Sequence, residues 1–481
     1  MNAAARGGRR MADRSARRRP DLSALTALAL VVAAGLALGL TRGERPAEMA
    51  GGTDGALVDR TQLSCPTSGL EELSGGGVRT TDLAGLLAVD EDGDTLGDAG
   101  VLTSGLVGEE PTPLDLSRGE LADLDDPADG PLLDAGGERA AGLFGFRIDR
   151  SVASSAVGAC VAPRASWWFT GVGADLDHSS ELVLTNLDPG PAVVDLRVFG
   201  TDGPVDTVGT RGLTVAPGET VTVSLADVAP QSPELMVNVQ ASRGRVAVAA
   251  SDRFAVGPRA PVGTAWVSDA SRPSRVVRLA GISAAATTKT LVVGNPSDSE
   301  ALVGIEVAGK SGSFVPTDLD GVSVAPGAVE TIDLADVLPE REAVAVRLRA
   351  QVPVVGSLRT ATREDVAYAD PTSPLTGPAV APVLARARTT FQLTAGPTDA
   401  VAAVESFDDA GESTGTEQIE IPATATAPWR PPRDSAYAVV RVEQGDVFGA
   451  AVFDQDAGLS TVPLVSPPIR VRLPEVVPGP R

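Results

Sequence analysis

The sequence predicts a mainly β chain, with tandem immunoglobulin- or fibronectin-like β-sandwich domains after a single N-terminal transmembrane helix. Three observations lead there. The 481 residues include 52 Gly and 37 Pro, with aromatics at only 3%, a composition that suits short strands and many turns and disfavours helical bundles. Apolar residues alternate with polar ones where Val194, Leu196 and Val198 enclose Asp195 and Arg197, and again where Val221, Val223 and Leu225 interleave with Thr222 and Ser224. That is the period of strands with one buried face. Three landmarks also recur at a single offset: Asn186 and Asn295 (295 − 186 = 109), the VAPG turns ending at Gly218 and Gly327, and the LADV segments containing Asp227 and Asp336. Landmarks in register without a gap read as an internal duplication.

Taken in chain order, residues 1–21 carry seven Arg against Asp13 and Asp21 and form a basic head expected to stay cytoplasmic. Residues 22–40 (LSALTALALVVAAGLALGL) are uncharged and apolar, long enough at about 1.5 Å per residue for one span of a ~30 Å hydrocarbon core. Arg on the N-terminal side places everything after Leu40 outside the membrane. A cleaved signal peptide is the competing reading, but the apolar run exceeds an h-region of about 7–15 residues and no A-x-A site follows. The predicted localisation is the cell membrane, single-pass, with the bulk extracytoplasmic.

Residues 41–64 are Gly-, Ala- and Asp-rich without an apolar period and are expected to be a flexible tether. Residues 65–165 are acidic, with short apolar pieces near 83–89, 101–107 and 140–148, and are expected to form an irregular, partly β subdomain. Repeat 1 covers 166–275, with six or seven short strands separated by Asp-Pro-Gly, Asp-Gly-Pro and Ala-Pro-Gly turns, and repeat 2 covers 276–385. Each LADV segment, followed by Pro230 or Pro339, reads as a helical turn or crossover. A degenerate third copy is expected over 386–460, where EQGDVFGAAVFD echoes SRGRVAVAASDR, and 461–481 is a Pro-rich tail.

A formal net charge of −23 disfavours nucleic acid as a partner, because it repels phosphate backbones. Cys65 and Cys160 are the two cysteines of the chain, and on the external side their pairing in a disulfide is the default.

The basic head and single span, Cys65-Pro66, Cys160 followed by WWFTG (Trp167 to Gly171), the strand ending at Asn186 and GRVAVA (Gly244 to Ala249) together resemble a family of uncharacterised, membrane-anchored secreted proteins of actinobacteria, known as a domain of unknown function. The resemblance implies an exported β architecture and brings no catalytic residues or ligand.

Several patterns could carry chemistry. Gly304 to Ser311 (GIEVAGKS) matches the phosphate-loop pattern, in which Lys310 would meet phosphates. Yet Val303 to Val307 occupies the strand matching Val194 to Val198, and Gly312, Ser313 and Pro316 oppose a following helix, so a strand-to-turn hairpin without nucleotide is expected. His178 is the single histidine. Multi-histidine zinc sites are therefore unavailable within one chain, and His178, between Asp177 and Ser179, is expected to be a polar loop residue. The run Asp90 to Asp94 lacks the Gly and Glu of an EF-hand, with Thr95 and Val101 in those places, and reads as a solvated turn. Trp167, Trp168 and Phe169 are expected mainly to pack in the core, with a ligand platform for sugars as the functional alternative.

The resulting expectation is a non-catalytic envelope protein that binds or scaffolds, without metal or cofactor, its partners being the membrane and envelope proteins or cell-wall glycan. The alternative is a glycan-binding module or a carboxylate-dependent carbohydrate-active enzyme, since acid pairs are invisible in sequence.

Overall fold

The computed structural model of the chain describes residues 55–67, 79–124, 131–150, 154–255, 262–270, 272–317, 319–339, 341–455 and 458–471. The expected head and span, residues 1–40, lie outside these. Among the described residues no helix is long and apolar enough to cross a membrane. Those from Ala56 onward belong to one unit built almost wholly of antiparallel strands.

The segment expected to be a flexible tether contains strands, and strands run into the expected Pro-rich tail. In the expected tether, Ala56–Leu57 and Arg60–Ser64 are strands. Thr61 and Leu63 turn inward, and the second strand pairs with Leu132–Gly137. In the expected tail, Leu459–Pro463 pairs with Val447–Asp454, and Arg470–Val471 pairs with Ala56–Leu57. The physical reason is partner burial: Val58, Val462, Leu464 and Ile469 dock into a common core, which orders short segments that carry no period of their own.

The expected irregular, partly β subdomain contributes strands to two sheets among its described residues. One four-stranded sheet takes Arg60–Ser64, Leu132–Gly137, Gly100–Gly105 and Thr112–Pro113; a second takes Leu121–Leu124, Arg79–Leu86, Leu143–Arg150 and Ser155–Ala159. The disulfide between Cys65 and Cys160 sits in a small core with Leu63, Leu86, Leu133 and Leu143. A much larger core joins this N-terminal part to the C-terminal one, packing Phe144, Phe146 and Val157 with Phe391, Trp429, Tyr437 and Phe453. The Tyr437 hydroxyl donates to the Gly119 carbonyl across that junction at 2.5 Å.

Between these ends lie the two segments with matching landmarks. Residues 166–267 form a nine-stranded sheet with the central order Ala192–Gly200, Ser232–Arg243, Ser166–Ala174, His178–Thr185, Ala247–Ala255. Residues 274–369 form an eight-stranded sheet around the 17-residue strand Ala345–Ala361, which pairs with four others. Asn186 Nδ2 donates to the carbonyls of Gly190 and Val215, both at 2.9 Å. Asn295 Nδ2 donates to those of Ser299 at 2.7 Å and Val324 at 3.1 Å. Each asparagine thus clips its own strand end to the VAPG turn. Leu225–Val228 is a single helical turn; in the second segment Leu338 N–H bonds the Leu334 carbonyl at 3.0 Å, and both leucines, Leu225 and Leu334, are buried.

Removing the Cys65–Cys160 bridge, which spans 95 positions, should lower unfolding free energy by about 2–5 kcal/mol. Urea denaturation of the Cys65→Ser/Cys160→Ser double variant checks this, and an unchanged midpoint would contradict it.

Candidate functional site

His178 departs most from expectation. It opens the strand His178–Thr185 and is buried, not a loop residue. Alternation along the strand puts Ser180 on the same face. Ser180 stands opposite Asp252 of Ala247–Ala255, so both side chains converge on that carboxylate. His178 Nδ1 lies 2.7 Å from Asp252 Oδ1, and the Ser180 hydroxyl donates to the same oxygen at 2.6 Å. The Tyr368 hydroxyl, from the other large sheet, donates to Oδ2 at 2.6 Å.

Arg359, from the long strand, completes the cluster. Its Nη1 lies 2.9 Å from His178 Nε2, and its Nη2 donates to Glu234 Oε1 at 2.6 Å. A guanidinium only donates, so Nε2 accepts and the ring proton sits on Nδ1, directed at Asp252. The Arg359 guanidinium stacks 4.2 Å above the Phe254 ring, and Phe254 meets the imidazole edge-on at 5.1 Å. Burial, followed by the Asp252 charge, pushes the Tyr368 hydroxyl well above its ordinary value and keeps it a donor.

A serine, a histidine and an aspartate are therefore in contact, but not in the order acyl transfer requires. A nucleophilic serine donates to the imidazole, which is oriented by the carboxylate. Here Ser180 donates to the carboxylate directly and accepts from Gly173 N–H at 2.8 Å, and every polar member of the cluster is buried. The arrangement holds two sheets together. The docking point beside it is a bulge at Gly171, whose φ of +81° favours glycine; a Cβ there would lie 2.7 Å from Ser357 Oγ. That hydroxyl donates to the Thr170 carbonyl at 2.7 Å.

Other buried carboxylates serve the same end. Asp365 accepts from Ser154 Oγ, Ser155 N–H and Leu459 N–H at 2.7, 3.0 and 2.8 Å, tying three distant segments. Asp149 accepts from Thr80 Oγ1 and Trp266 Nε1. Glu91 to Asp94 form the exposed turn expected, while Asp90 itself is buried: it caps that turn by accepting from Asp92 and Asp94 N–H, and accepts from Arg470 Nη2 at 3.0 Å.

The aromatic run offers no open stacking face at two of its three positions. Trp167 and Phe169 are each 1% exposed and stack on one another at 6.5 Å. Trp167 Nε1 donates to the Val246 carbonyl, and Arg164 covers its ring. Trp168 is half-buried and stacks on Phe199. Lys310 and Ser311 are the exposed turn of a hairpin whose strands pair Gly309 with Gly312 and Ala308 with Ser313, so no helix follows the motif. Three cavities among the described residues are each lined by a single carboxylate. Asp269, bound to Arg164, lines one of about 230 Å³ beside Trp266. Glu306, bound to Arg347 and Arg349, lines one of about 20 Å³. Asp454 lines one of about 490 Å³.

Fold and site together define an all-β protein with a structural disulfide, whose buried ionisable groups knit its sheets to one another. Residues 150–432, more than half of the chain, match a family of unknown function, DUF5719, and the chain belongs to that family. No curated protein matches it.

Two predictions follow from the buried groups. Tyr368→Phe deletes a donor to a buried carboxylate and should cost about 1.5–3 kcal/mol in equilibrium denaturation, without changing the disulfide. The second concerns pH. Burial pushes Asp82 up to about 7, against the pull of Arg147 at 3.7 Å, and pushes Asp370 up to about 8, against its bond from Ser268 N–H. Between the ordinary carboxylate value of about 4 and these values, the folded state keeps protons that the unfolded chain has released. Stability should therefore fall as pH rises from 6 to 8 and level off above. Asp370→Asn should flatten that fall in Tm measured across the range, and a Tm that rises between pH 6 and 8 would contradict the assignment.

Proposed function

We propose that this is a non-catalytic protein of the cell envelope, anchored by residues 22–40 with its N-terminus cytoplasmic, that binds or scaffolds envelope components through extracytoplasmic β domains. In this reading 166–275 and 276–385 are tandem copies of one β-sandwich unit, supported by the matching Asn186 and Asn295 clips.

The observation that carries the non-catalytic part is the commitment of polar groups to structure. The lone histidine faces a carboxylate and a guanidinium inside the protein, and each described cavity offers one carboxylate where glycoside cleavage uses two. The disulfide supports an oxidising compartment, and the charge split around residues 22–40 supports the orientation.

Two measurements test the reading. An epitope at the C-terminus should be labelled on intact cells and one at the N-terminus only after permeabilisation; the reverse pattern would overturn the topology. Purified protein should bind isolated cell-wall material saturably and release no soluble sugar or peptide fragments from it. Release of fragments that scales with protein and time would replace the binding reading with an enzymatic one.

A further inference from the structure

The cavity of about 490 Å³ has a character opposite to that of the whole molecule. Arg386 and Arg388 reach it from one turn, Arg430 and Arg433 from another, and all four are exposed. Arg430 Nε donates to Thr390 Oγ1 at 3.3 Å. Among the described residues none of the four is ion-paired. Other arginines of this acidic chain are matched to carboxylates, among them Arg60 to Asp134, Arg245 to Asp188 and Arg359 to Glu234, whereas here four unpaired guanidinium groups share one cavity. The acid in the cavity wall is Asp454, one oxygen of which accepts from Ser283; Asp434 follows Arg433 on its turn.

The cavity's field reaches further. Burial, then Arg386 and Arg79, lowers the guanidinium pKa of Arg150. Four cations set against one lining carboxylate repel one another, so their convergence is relieved by an anion from outside. The frame is already built. Leu384 N–H bonds Thr389 Oγ1, Ala387 N–H bonds the Leu384 carbonyl, Ser435 N–H bonds the Pro432 carbonyl, and Val383 N–H ties the first turn to the Ala436 carbonyl beside the second. Pro431 and Pro432 stiffen the second turn. A cavity of this volume is within the range of small-ligand sites, and planar guanidinium forks suit phosphate oxygens.

We infer that this cavity is a binding site for a multivalent oxyanion, a ligand carrying linked phosphate groups. One carboxylate or one orthophosphate would leave most of the positive charge uncompensated; two or three linked phosphates match it. The inference gives a ligand class to the binding role proposed above and rests on that reading. The chemistry is shared by free oligophosphates and by phosphodiester-linked envelope polymers.

Calorimetric titration of the purified protein with inorganic tripolyphosphate tests it. Saturable binding is expected, at least tenfold tighter than orthophosphate or acetate, and weakening as NaCl is raised from 50 to 500 mM. Arg388→Ser/Arg433→Ser, two exposed positions, should weaken it at least tenfold with an unchanged Tm. Lys310→Ala should leave it intact. Competition by a poly(glycerol phosphate) chain would identify polymer as the source, and failure to compete would identify free oligophosphate. No saturable binding of either probe, or binding that survives the double variant or is lost in Lys310→Ala, would overturn the site while leaving the non-catalytic reading standing. Release of orthophosphate from the probe would overturn the non-catalytic reading while leaving the site.

Discussion

Asp252 is the carboxylate on which the two large sheets depend. It is fully buried, and a buried charge without partners costs several kcal/mol. Here its oxygens accept from His178, Ser180 and Tyr368, and Arg359 supplies a compensating positive charge one ring away. Three of these partners come from different strands and two sheets. The carboxylate is therefore tolerable only when the sheets are docked. Removing any one partner exposes the cost of the rest, which makes the junction cooperative and gives it a single geometry.

The same logic repeats at smaller scale. Asp365 gathers segments near 154, 365 and 459, and Asp149 gathers Thr80 and Trp266. A chain with few aromatics has limited large side chains to lock one sheet against another. Polar ties supply specificity where apolar contact by Val and Ala is less particular about register.

How much of this was legible depended on whether the relevant partner was near in sequence. The strands of 192–200 and 220–224 were readable because the period of two is local, and the Lys310 hairpin because Gly309 and Gly312 flank its turn. The Asn186 and Asn295 landmarks were visible as matching sequence positions, though not as clips, since the VAPG carbonyls they bond lie 29 residues on. The buried cluster was not legible: Asp252 is 74 residues from His178 and Arg359 is 181 away. The one local signal was His178 and Ser180 two apart at the start of an apolar strand. The packing of Phe144 and Phe146 against Phe391 and Tyr437 was likewise hidden, as was the order of residues 56–64. The arginine cavity leaves no sequence signal because its four residues are split between two segments on a chain of opposite net charge.

The pairing of Ala56–Leu57 with Arg470–Val471 has a mechanical consequence. Because the two strands are antiparallel, residues 56 and 471 stand side by side at one end of the pair. A load applied between them opens the ladder one rung at a time, as in a zipper, and does not shear all its bonds together. Pulling from those two points would thus peel away the outermost pair first, with the disulfide and the Asp252 junction lying behind it.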